Sequence, residues 1–258
     1  MKVVILCGGL GTRLREETVF IPKPMVQVGN RPILWHIMKM YAKYGHTDFV
    51  LALGYKGEVI RQYFYEYDIM NSDVTIDLSQ PKNPQVHKQH NEHDWKITLV
   101  DTGQATLKGA RLKRTEAHAN SDLILVTYGD GVSDVNIDEL VRFHRSHGKL
   151  GTVTGVNIAS RFGELKIDGD KVLSFSEKPD QSDEFINGGF FVFNRQIFDY
   201  LTHYEDCDLE IGALETLAKE GQLVIHRHDG FWACMDTQRD RDYLNGIWER
   251  GNAPWKVW

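Results

Sequence analysis

Short apolar runs alternate with segments of helical periodicity through about the first 150 residues of the chain. Unbroken apolar runs that end at glycines or polar turns are typical of strands buried on both faces of a parallel sheet. The alternation therefore predicts an α/β fold, a doubly wound, mostly parallel Rossmann-like sheet with helices on its faces. The predicted strands are residues 3–7, 49–53, 74–78, 96–100 and 123–127, and the predicted helices are residues 33–45, 57–65 and 137–147.

The second half of the chain is richer in strand-like segments. No low-complexity linker or internal repeat divides it from the first half. We therefore predict a single domain over residues 1–258, in which the strands after residue 150 extend the same sheet and cap its edge. The predicted strands are residues 151–158, 164–167, 172–176 and 190–193, and the predicted helices are residues 209–219 and 239–250.

Composition and charge narrow the classes of function. The chain has 258 residues, 41% of them hydrophobic, and a formal net charge of −6, which argues against a nucleic-acid surface. Three scattered cysteines are too few for a disulfide framework and suit a reducing cytoplasm. No apolar run has the length of a signal peptide or of a membrane span. We expect a cytoplasmic α/β protein that binds neither nucleic acid nor membranes.

A glycine-rich loop, Gly-Gly-Leu-Gly-Thr-Arg at residues 8–13, follows the first strand. Backbone N–H groups in such a loop suit a polyphosphate. A dinucleotide fingerprint would need a third glycine where Leu14 stands, and a P-loop would need Gly-Lys-Ser/Thr in place of residues 11–13. On this pattern alone, a tight strand-to-helix turn without a ligand remains an alternative.

Lys23 lies between Pro22 and Pro24. The two prolines bias the backbone toward an extended form, so the ammonium can be presented from a stiff segment and can neutralise phosphate charge. By itself, the same pattern also fits a solvated lysine in a turn.

Two aspartates, Asp130 and Asp236, each follow an apolar stretch. Carboxylates at two strand ends can hold Mg²⁺, which takes its other ligands from water and phosphates. The alternative for an aspartate between two glycines, as at position 130, is ordinary turn chemistry. Asp134 lies nearby and is at best an indirect contributor.

The glycine loop, followed by Lys-Pro-Met at residues 23–25 and Arg-Pro-Ile-Leu at residues 31–34, resembles the opening signature of the sugar nucleotidylyltransferase superfamily. The resemblance implies the nucleotidyltransferase fold, with residues 1–150 as a nucleotide-binding half and 151–258 as a sugar-binding half. It also implies Mg²⁺ on Asp130 and Asp236, and catalytic roles for Arg13 and Lys23 on the phosphates. The implied nucleotide-binding residues are Leu6, Cys7, Gly8, Gly9, Leu10, Gly11, Thr12, Arg13, Thr102, Gly103, Gly109, Arg111 and Gly129.

The sugar half carries a second family element. Glu-Lys-Pro at residues 177–179 resembles the element in which the glutamate accepts hydrogen bonds from sugar hydroxyls and the lysine reaches the sugar's phosphate. The resemblance therefore gives Lys178 a catalytic as well as a sugar-binding role. The implied sugar-binding residues are Gly163, Glu177, Lys178, Asn187 and Gly188.

The base pocket resembles the cytidylyltransferase branch of the superfamily, on residues 101–103, 109–114, 230–232 and 253–256. The resemblance implies transfer of a cytidylyl group from CTP to α-D-glucose 1-phosphate, a homohexamer, and a product used in O-antigen synthesis of lipopolysaccharide. Arg111 suits cytosine because its guanidinium only donates, although a phosphate or sugar contact is equally arguable. Ala110 departs from the expected glycine beside the base-reading region, so the choice of base rests on less than the reaction class does. A cytidylyltransferase or other nucleotidylyltransferase for a different phosphorylated substrate remains an alternative.

Two other classes of function have less support from the sequence than a nucleotidylyltransferase has. A sensor built on the same fold would not need all four of Arg13, Lys23, Asp130 and Asp236. A nicotinamide-dependent oxidoreductase lacks the third glycine and an acidic residue near the second strand.

Two further patterns are set aside. His87, His90 and His93 have a spacing that would allow Zn²⁺ binding on a helix, but Pro81 and Pro84 favour a solvated loop. Cys234 lies close to Asp236 and has no neighbouring base to make it a nucleophile.

Overall fold

The computed structural model describes residues 1–80, 84–87, 90–157, 164–176 and 185–258. The strands are β1 Lys2–Cys7, β2 Gln27–Val28, β3 Arg31–Pro32, β4 Asp48–Leu53, β5 Asp73–Thr75, β6 Gln85–His87, β7 Lys96–Asp101, β8 Leu123–Tyr128, β9 Gly131–Ser133, β10 Gly151–Val156, β11 Glu164–Asp168, β12 Lys171–Ser176, β13 Ile186–Asn194, β14 Leu223–His228 and β15 Trp232–Cys234. The α-helices are α1 Arg15–Thr18, α2 Ile33–Lys43, α3 Gly57–Tyr65, α4 Tyr67–Met70, α5 Lys108–Arg114, α6 Ile137–His147, α7 Ala213–Lys219 and α8 Gln238–Glu249. Short 3₁₀ helices occupy Thr12–Leu14, Lys23–Met25 and Arg195–Tyr200.

Seven strands form the central sheet in the order β14-β10-β13-β8-β1-β4-β7. Strand β1 pairs in parallel with both β4 and β8, and β13 is antiparallel to its two neighbours. Alternate residues of β1 enter two different hydrophobic clusters, Val3 and Ile5 on one face and Val4 and Leu6 on the other. A mostly parallel sheet covered on both faces is the α/β fold that the sequence predicts.

Of the later strands that were predicted, β10 and β13 join this sheet as expected, and β14, for which no strand was predicted, joins it as well. Strands β11 and β12 instead pair only with each other among the described residues. The predicted helix at 209–219 begins late, at Ala213, because the Asp208 carboxylate accepts the N–H groups of Glu210 and Ile211 in a turn. The predicted strand at 74–78 is also wrong beyond Thr75.

A cluster of aromatic rings joins the end of the chain to α2. His36 is fully buried, and the rings of Trp248, Trp255 and Trp258 all lie within 6.2 Å of its ring centre. His36 Nε2 lies 2.9 Å from the Val28 carbonyl oxygen, and the Trp255 indole N–H donates to His36 Nδ1 across 3.4 Å, so both ring nitrogens have a partner within this aromatic cluster. Burial lowers the pKa of His36 from 6.5 to about 4.

We expect the free energy of unfolding to decrease as the pH is lowered, because of this histidine. The neutral imidazole is favoured in the folded protein, so its contribution is complete above pH 6.5 and is lost as the pH falls toward 4, while the unfolded chain takes up the proton. Between pH 8 and pH 4 the loss should be about 3 kcal/mol. Urea unfolding of the wild type and of His36→Gln at both pH values measures it, and equal pH dependence of the two proteins would contradict the assignment.

Among the described residues, no helix is both long enough and apolar enough to cross a lipid bilayer.

Candidate active site

A cavity of about 430 Å³ lies at the carboxyl ends of β1 and β8, where ligands bind in open α/β sheets. Most of the predicted site residues reach it. Those that line it are Leu6, Cys7, Gly8, Gly9, Arg13, Lys23, Arg111, Gly129, Asp130, Gly188 and Asp236. The structure thus brings together residues more than 200 positions apart in the sequence.

Lys23 joins the two aspartates at one end of the cavity. Its Nζ lies 2.6 Å from Asp130 Oδ2 and 2.5 Å from Asp236 Oδ1, and its side chain is 13% exposed. Burial alone would lower the pKa of Lys23, but the two carboxylates raise it above its ordinary value. Arg13 Nη1 lies 2.9 Å from Asp236 Oδ2, so two cations and two carboxylates form one cluster.

The two-stranded sheet of β9 and β15 places both aspartates. Asp130 immediately precedes β9 and Asp236 follows β15, with Gly131 opposite Cys234 in the antiparallel register. The Met235 N–H donates to the Asp130 carbonyl oxygen across 2.9 Å, which closes this end of the pair. Two carboxylates from distant parts of the chain therefore share one side of the cavity.

Asp134 lies at the opposite end of the same pair of strands. Its Oδ1 lies 2.9 Å from His228 Nε2, and Ser133 Oγ donates to the Phe231 carbonyl oxygen across 2.7 Å. Asp134 is not among the residues that line the described cavity. Its expected indirect role is compatible with this position, since it holds the far end of the β9–β15 pair.

The glycine loop is bent where Gly11 adopts φ = +63°. A Cβ at Gly11 would lie 2.7 Å from Thr18 Cγ2, so both the backbone angle and the close packing require glycine there. Thr12 and Leu10 are exposed next to this bend, and neither lines the cavity. The loop therefore presents Gly8, Gly9 and Arg13 to the cavity, whereas the nucleotide contacts expected of the other loop residues stay predictions.

Arg111 forms part of the floor of the cavity, with only 3% of its surface exposed. Its Nη1 donates to the Gly103 carbonyl across 2.7 Å and to Thr102 Oγ1 across 2.8 Å, and its Nη2 donates to the Gln104 carbonyl across 3.0 Å. The guanidinium thus holds residues 102–104 against β4. Because protein acceptors take these donors, direct reading of the base by Arg111 stays a prediction.

Gly8 and Gly54 make room for this guanidinium. A Cβ at Gly8 would lie 2.2 Å from Arg111 Cζ, and a Cβ at Gly54 would lie 2.3 Å from Arg111 Nη1. A Cβ at Gly9, the next residue in the loop, would meet no other atom within 4 Å, so Gly9 is a matched control.

We expect Gly8→Ala to lower the free energy of unfolding by about 2 kcal/mol, because displacing Arg111 leaves buried hydrogen-bonding groups without partners. Gly9→Ala should change it by less than about 0.5 kcal/mol. Chemical unfolding of the two variants measures both effects. Similar free energies of unfolding for the two variants would show that Arg111 can move away from a Cβ at position 8 without loss of stability.

The remaining nucleotide-side residues lie around Arg111. Thr102 is buried and its hydroxyl donates to the Leu53 carbonyl across 2.5 Å. Gly103 has φ = +86°, and a Cβ at Gly109 would lie 2.7 Å from the Asp208 carbonyl oxygen. These three residues shape the floor by packing, and none lines the described cavity.

On the sugar side, Gly188 lines the cavity and its carbonyl accepts the Trp232 indole N–H across 2.7 Å. Asn187, next to it, is exposed. Gly163, Glu177 and Lys178 lie outside the described residues, so their predicted roles stay predictions.

Sequence reasoning missed several residues that line the cavity, among them Thr106, Lys108 and Tyr128. Tyr128 immediately precedes Gly129-Asp130, and this adjacency was an available signal. Lys108 begins helix α5, which no apolar periodicity revealed.

The histidine segment differs from the solvated loop that was predicted. His87 lies in β6 and is exposed, whereas the His90 side chain is only 10% exposed and its Nε2 lies 2.6 Å from Asp68 Oδ1. In the part of the chain that the structure describes, no three His, Cys, Asp or Glu side chains come together as a metal site.

Burial, followed by the nearby carboxylates of Asp236 and Asp130, raises the pKa of the Cys234 thiol to about 11. The thiol is therefore protonated at neutral pH and is a poor nucleophile, as expected.

The residues present fit a magnesium ion. One ammonium nitrogen already lies within 2.6 Å of both Asp130 Oδ2 and Asp236 Oδ1, so a single cation can contact both carboxylates. Two carboxylates are a sufficient protein ligand set for Mg²⁺, because phosphates and water supply the rest.

Comparisons with known proteins agree with this geometry. A family model described as nucleotidyl transferase matches residues 2–245. Glucose-1-phosphate cytidylyltransferases from Salmonella typhi and Salmonella typhimurium are each 48% identical over 259 residues, with 100% of both chains covered. The crystal structure of HddC from Yersinia pseudotuberculosis shares the fold, with a TM-score of 0.67 at 24% identity, over 96% of this chain and 99% of that one.

The chain therefore belongs to the nucleotidyl transferase family. Within it, the chain groups with the glucose-1-phosphate cytidylyltransferases, to which it is similar along its whole length.

Proposed function

We propose that this chain transfers a cytidylyl group from CTP to α-D-glucose 1-phosphate and releases pyrophosphate, giving CDP-glucose. The observation that carries the proposal is the convergence of two cations and two carboxylates at one end of the cavity. It occurs in a chain that is similar throughout to proteins named for this reaction. A polyphosphate and a sugar phosphate are the ligands that such a cluster can bring together.

The reaction needs alignment and charge neutralisation rather than a protein nucleophile. A phosphate oxygen of glucose 1-phosphate is already anionic and attacks the α-phosphorus of CTP in line, while the bond to the departing pyrophosphate breaks. Backbone N–H groups of the glycine loop, together with Arg13 and Lys23, offset the negative charge of the triphosphate. Lys178 is assigned the phosphate of the sugar on the resemblance alone.

Asp130 and Asp236 would hold Mg²⁺, which supplies positive charge beside the reacting phosphates when it is bound. With the ion bound, Lys23 would no longer need to neutralise both carboxylates, and its ammonium would be available to the phosphates. The contribution of the chain is to fix the two carboxylates on one short pair of strands.

Pyrophosphate release with each of four nucleoside triphosphates and a panel of sugar 1-phosphates tests the proposal. We expect release only with CTP and glucose 1-phosphate, in the presence of Mg²⁺. Release with another pair would keep the nucleotidylyltransferase reaction and overturn the specificity, in favour of a different phosphorylated substrate. The hexamer, the cytoplasmic location and the place in O-antigen synthesis stay predictions from the resemblance.

A further inference from the structure

A chain of polar side chains follows the cavity wall from α5 to β13. Lys108 forms an ion pair with Glu210 and also lies over the Tyr128 ring, with Nζ 5.3 Å from its centre. Tyr128 Oη donates to Glu210 Oε1 across 2.5 Å, and Asn187 Nδ2 donates to Tyr128 Oη across 3.1 Å. Lys108 and Tyr128 line the cavity, and the chain ends on Asn187, the residue expected to contact a sugar hydroxyl.

The carboxylate at the centre fixes the direction of each hydrogen bond. An ionised glutamate only accepts, so Tyr128 must give its single proton to Glu210. The tyrosine oxygen is then left as an acceptor, which only the NH₂ group of the Asn187 amide can serve. On the other side of the amide, the Gly189 N–H donates to Asn187 Oδ1 across 2.9 Å. The orientation of the Asn187 amide is therefore set from both sides.

This orientation determines what Asn187 offers to a ligand. After these two bonds, the amide retains one N–H donor and one lone pair of Oδ1. Asn187 is exposed beside Gly188, which lines the cavity. A ligand hydroxyl there would meet a donor and an acceptor in fixed positions, and a flipped amide would exchange them.

Packing keeps the tyrosine in place. Its ring lies edge-on to Phe191 at 5.7 Å between centres, and a Cβ at Gly189 would lie 2.6 Å from Tyr128 Cδ2. Gly189 has φ = +79°, so glycine is required there for both reasons. The Glu210 backbone N–H is held by Asp208 Oδ1 at 2.9 Å. Burial, and then the neighbouring Glu210, raise the pKa of Tyr128, so the hydroxyl keeps its proton.

We propose that Tyr128 and Glu210 are positioning residues for the sugar phosphate, which act by fixing the Asn187 amide and so set the hydroxyl configuration that the site accepts. This inference rests on the function proposed above and names determinants of the same site. Lys108 supports it through its ion pair with Glu210. Neither Tyr128 nor Glu210 needs to contact the reacting phosphates.

Steady-state kinetics with both substrates varied tests the inference. Tyr128→Phe removes only the hydroxyl, so the KM for glucose 1-phosphate should rise about 5- to 10-fold, as expected for one hydrogen bond. The KM for CTP and kcat should change less than about 3-fold, and the preference for glucose 1-phosphate over galactose 1-phosphate should narrow. Glu210→Gln should act in the same direction. The double variant should be no worse than the stronger single variant, because both act through one chain of bonds.

Tyr200→Phe is the matched control, because Tyr200 Oη donates to Glu220 Oε2 across 2.7 Å, in an exposed pair that does not line the cavity. It should leave both KM values unchanged. Wild-type turnover in the same assay tests the proposed function separately. An active wild type with an unchanged sugar-phosphate KM in Tyr128→Phe and Glu210→Gln would overturn this inference alone. A fall in kcat together with equal rises in both KM values would also overturn it, since this pattern would indicate a general structural role.

Discussion

Replacing Asp236 with asparagine should lower kcat by about 10³-fold or more while the protein stays folded. Asp236 is shared by Lys23 and Arg13, and it is one of the two carboxylates that fit a magnesium ion. The substitution keeps the shape of the side chain and removes its negative charge. We therefore expect kcat to decrease because the metal binds less tightly and the phosphates are less well aligned. Pyrophosphate release at saturating CTP and glucose 1-phosphate measures it, with circular dichroism to verify the fold.

Asp77→Asn is the control for this substitution, because Asp77 is exposed and its carboxylate bonds only to Ser79 in the described structure. It should turn over at the wild-type rate. If Asp236→Asn retained activity at saturating Mg²⁺, the assignment of Asp236 to the metal would be wrong. Asp130→Asn should repeat the loss, since the two carboxylates share Lys23 Nζ.

Removing the lysine between these carboxylates should have the second largest effect. We expect Lys23→Ala to lower kcat by about 10²- to 10³-fold, because a preorganised positive charge beside the reacting phosphates is lost. The substitution also leaves Asp130 and Asp236 close together without the ammonium that separates them. The variant should therefore melt at a lower temperature than the wild type, and Mg²⁺ should restore more of its stability than it adds to the wild type.

Lys219→Ala serves as the control, since that lysine is 78% exposed and forms only a long surface pair with Glu215 in the described part of the chain. It should alter neither kcat nor the response of the melting temperature to Mg²⁺. A wild-type rate for Lys23→Ala would remove Lys23 from the mechanism. If Lys23→Ala lost activity but its melting temperature rose with Mg²⁺ no more than that of the wild type, the catalytic role of Lys23 would stand. The proposed proximity of Lys23 to the metal would then be contradicted.

The central sheet could be predicted from the sequence because its strands are buried on both faces. Such strands read as plain apolar runs, and β1, β4 and β8 end within one residue of the predicted positions. Polar groups after these strands were expected at one edge of the sheet, and Gly8, Gly129 and Asp130 do line one cavity. Local pattern and the general rule for open sheets suffice for this part of the site.

The rest depends on contacts between distant segments, which no local pattern encodes. Strands β9 and β15 are each three residues long and pair across about 100 positions, so their sequence carries little strand signal. Helix α5, with the sequence KGARLKR, buries an arginine and begins with the lysine that pairs with Glu210. The roles of Arg111 and Tyr128 follow from the acceptors around them, and these became known only from the folded chain.

Product identification from CTP and glucose 1-phosphate is the most direct test of the central claim. The purified chain, Mg²⁺ and the two substrates should give CDP-glucose and pyrophosphate in equal amounts, followed together by mass spectrometry and a phosphate-coupled assay. Asp236→Asn should give neither. Formation of CMP and pyrophosphate without a sugar nucleotide, or of no product at all, would contradict the assignment of this cavity to cytidylyl transfer.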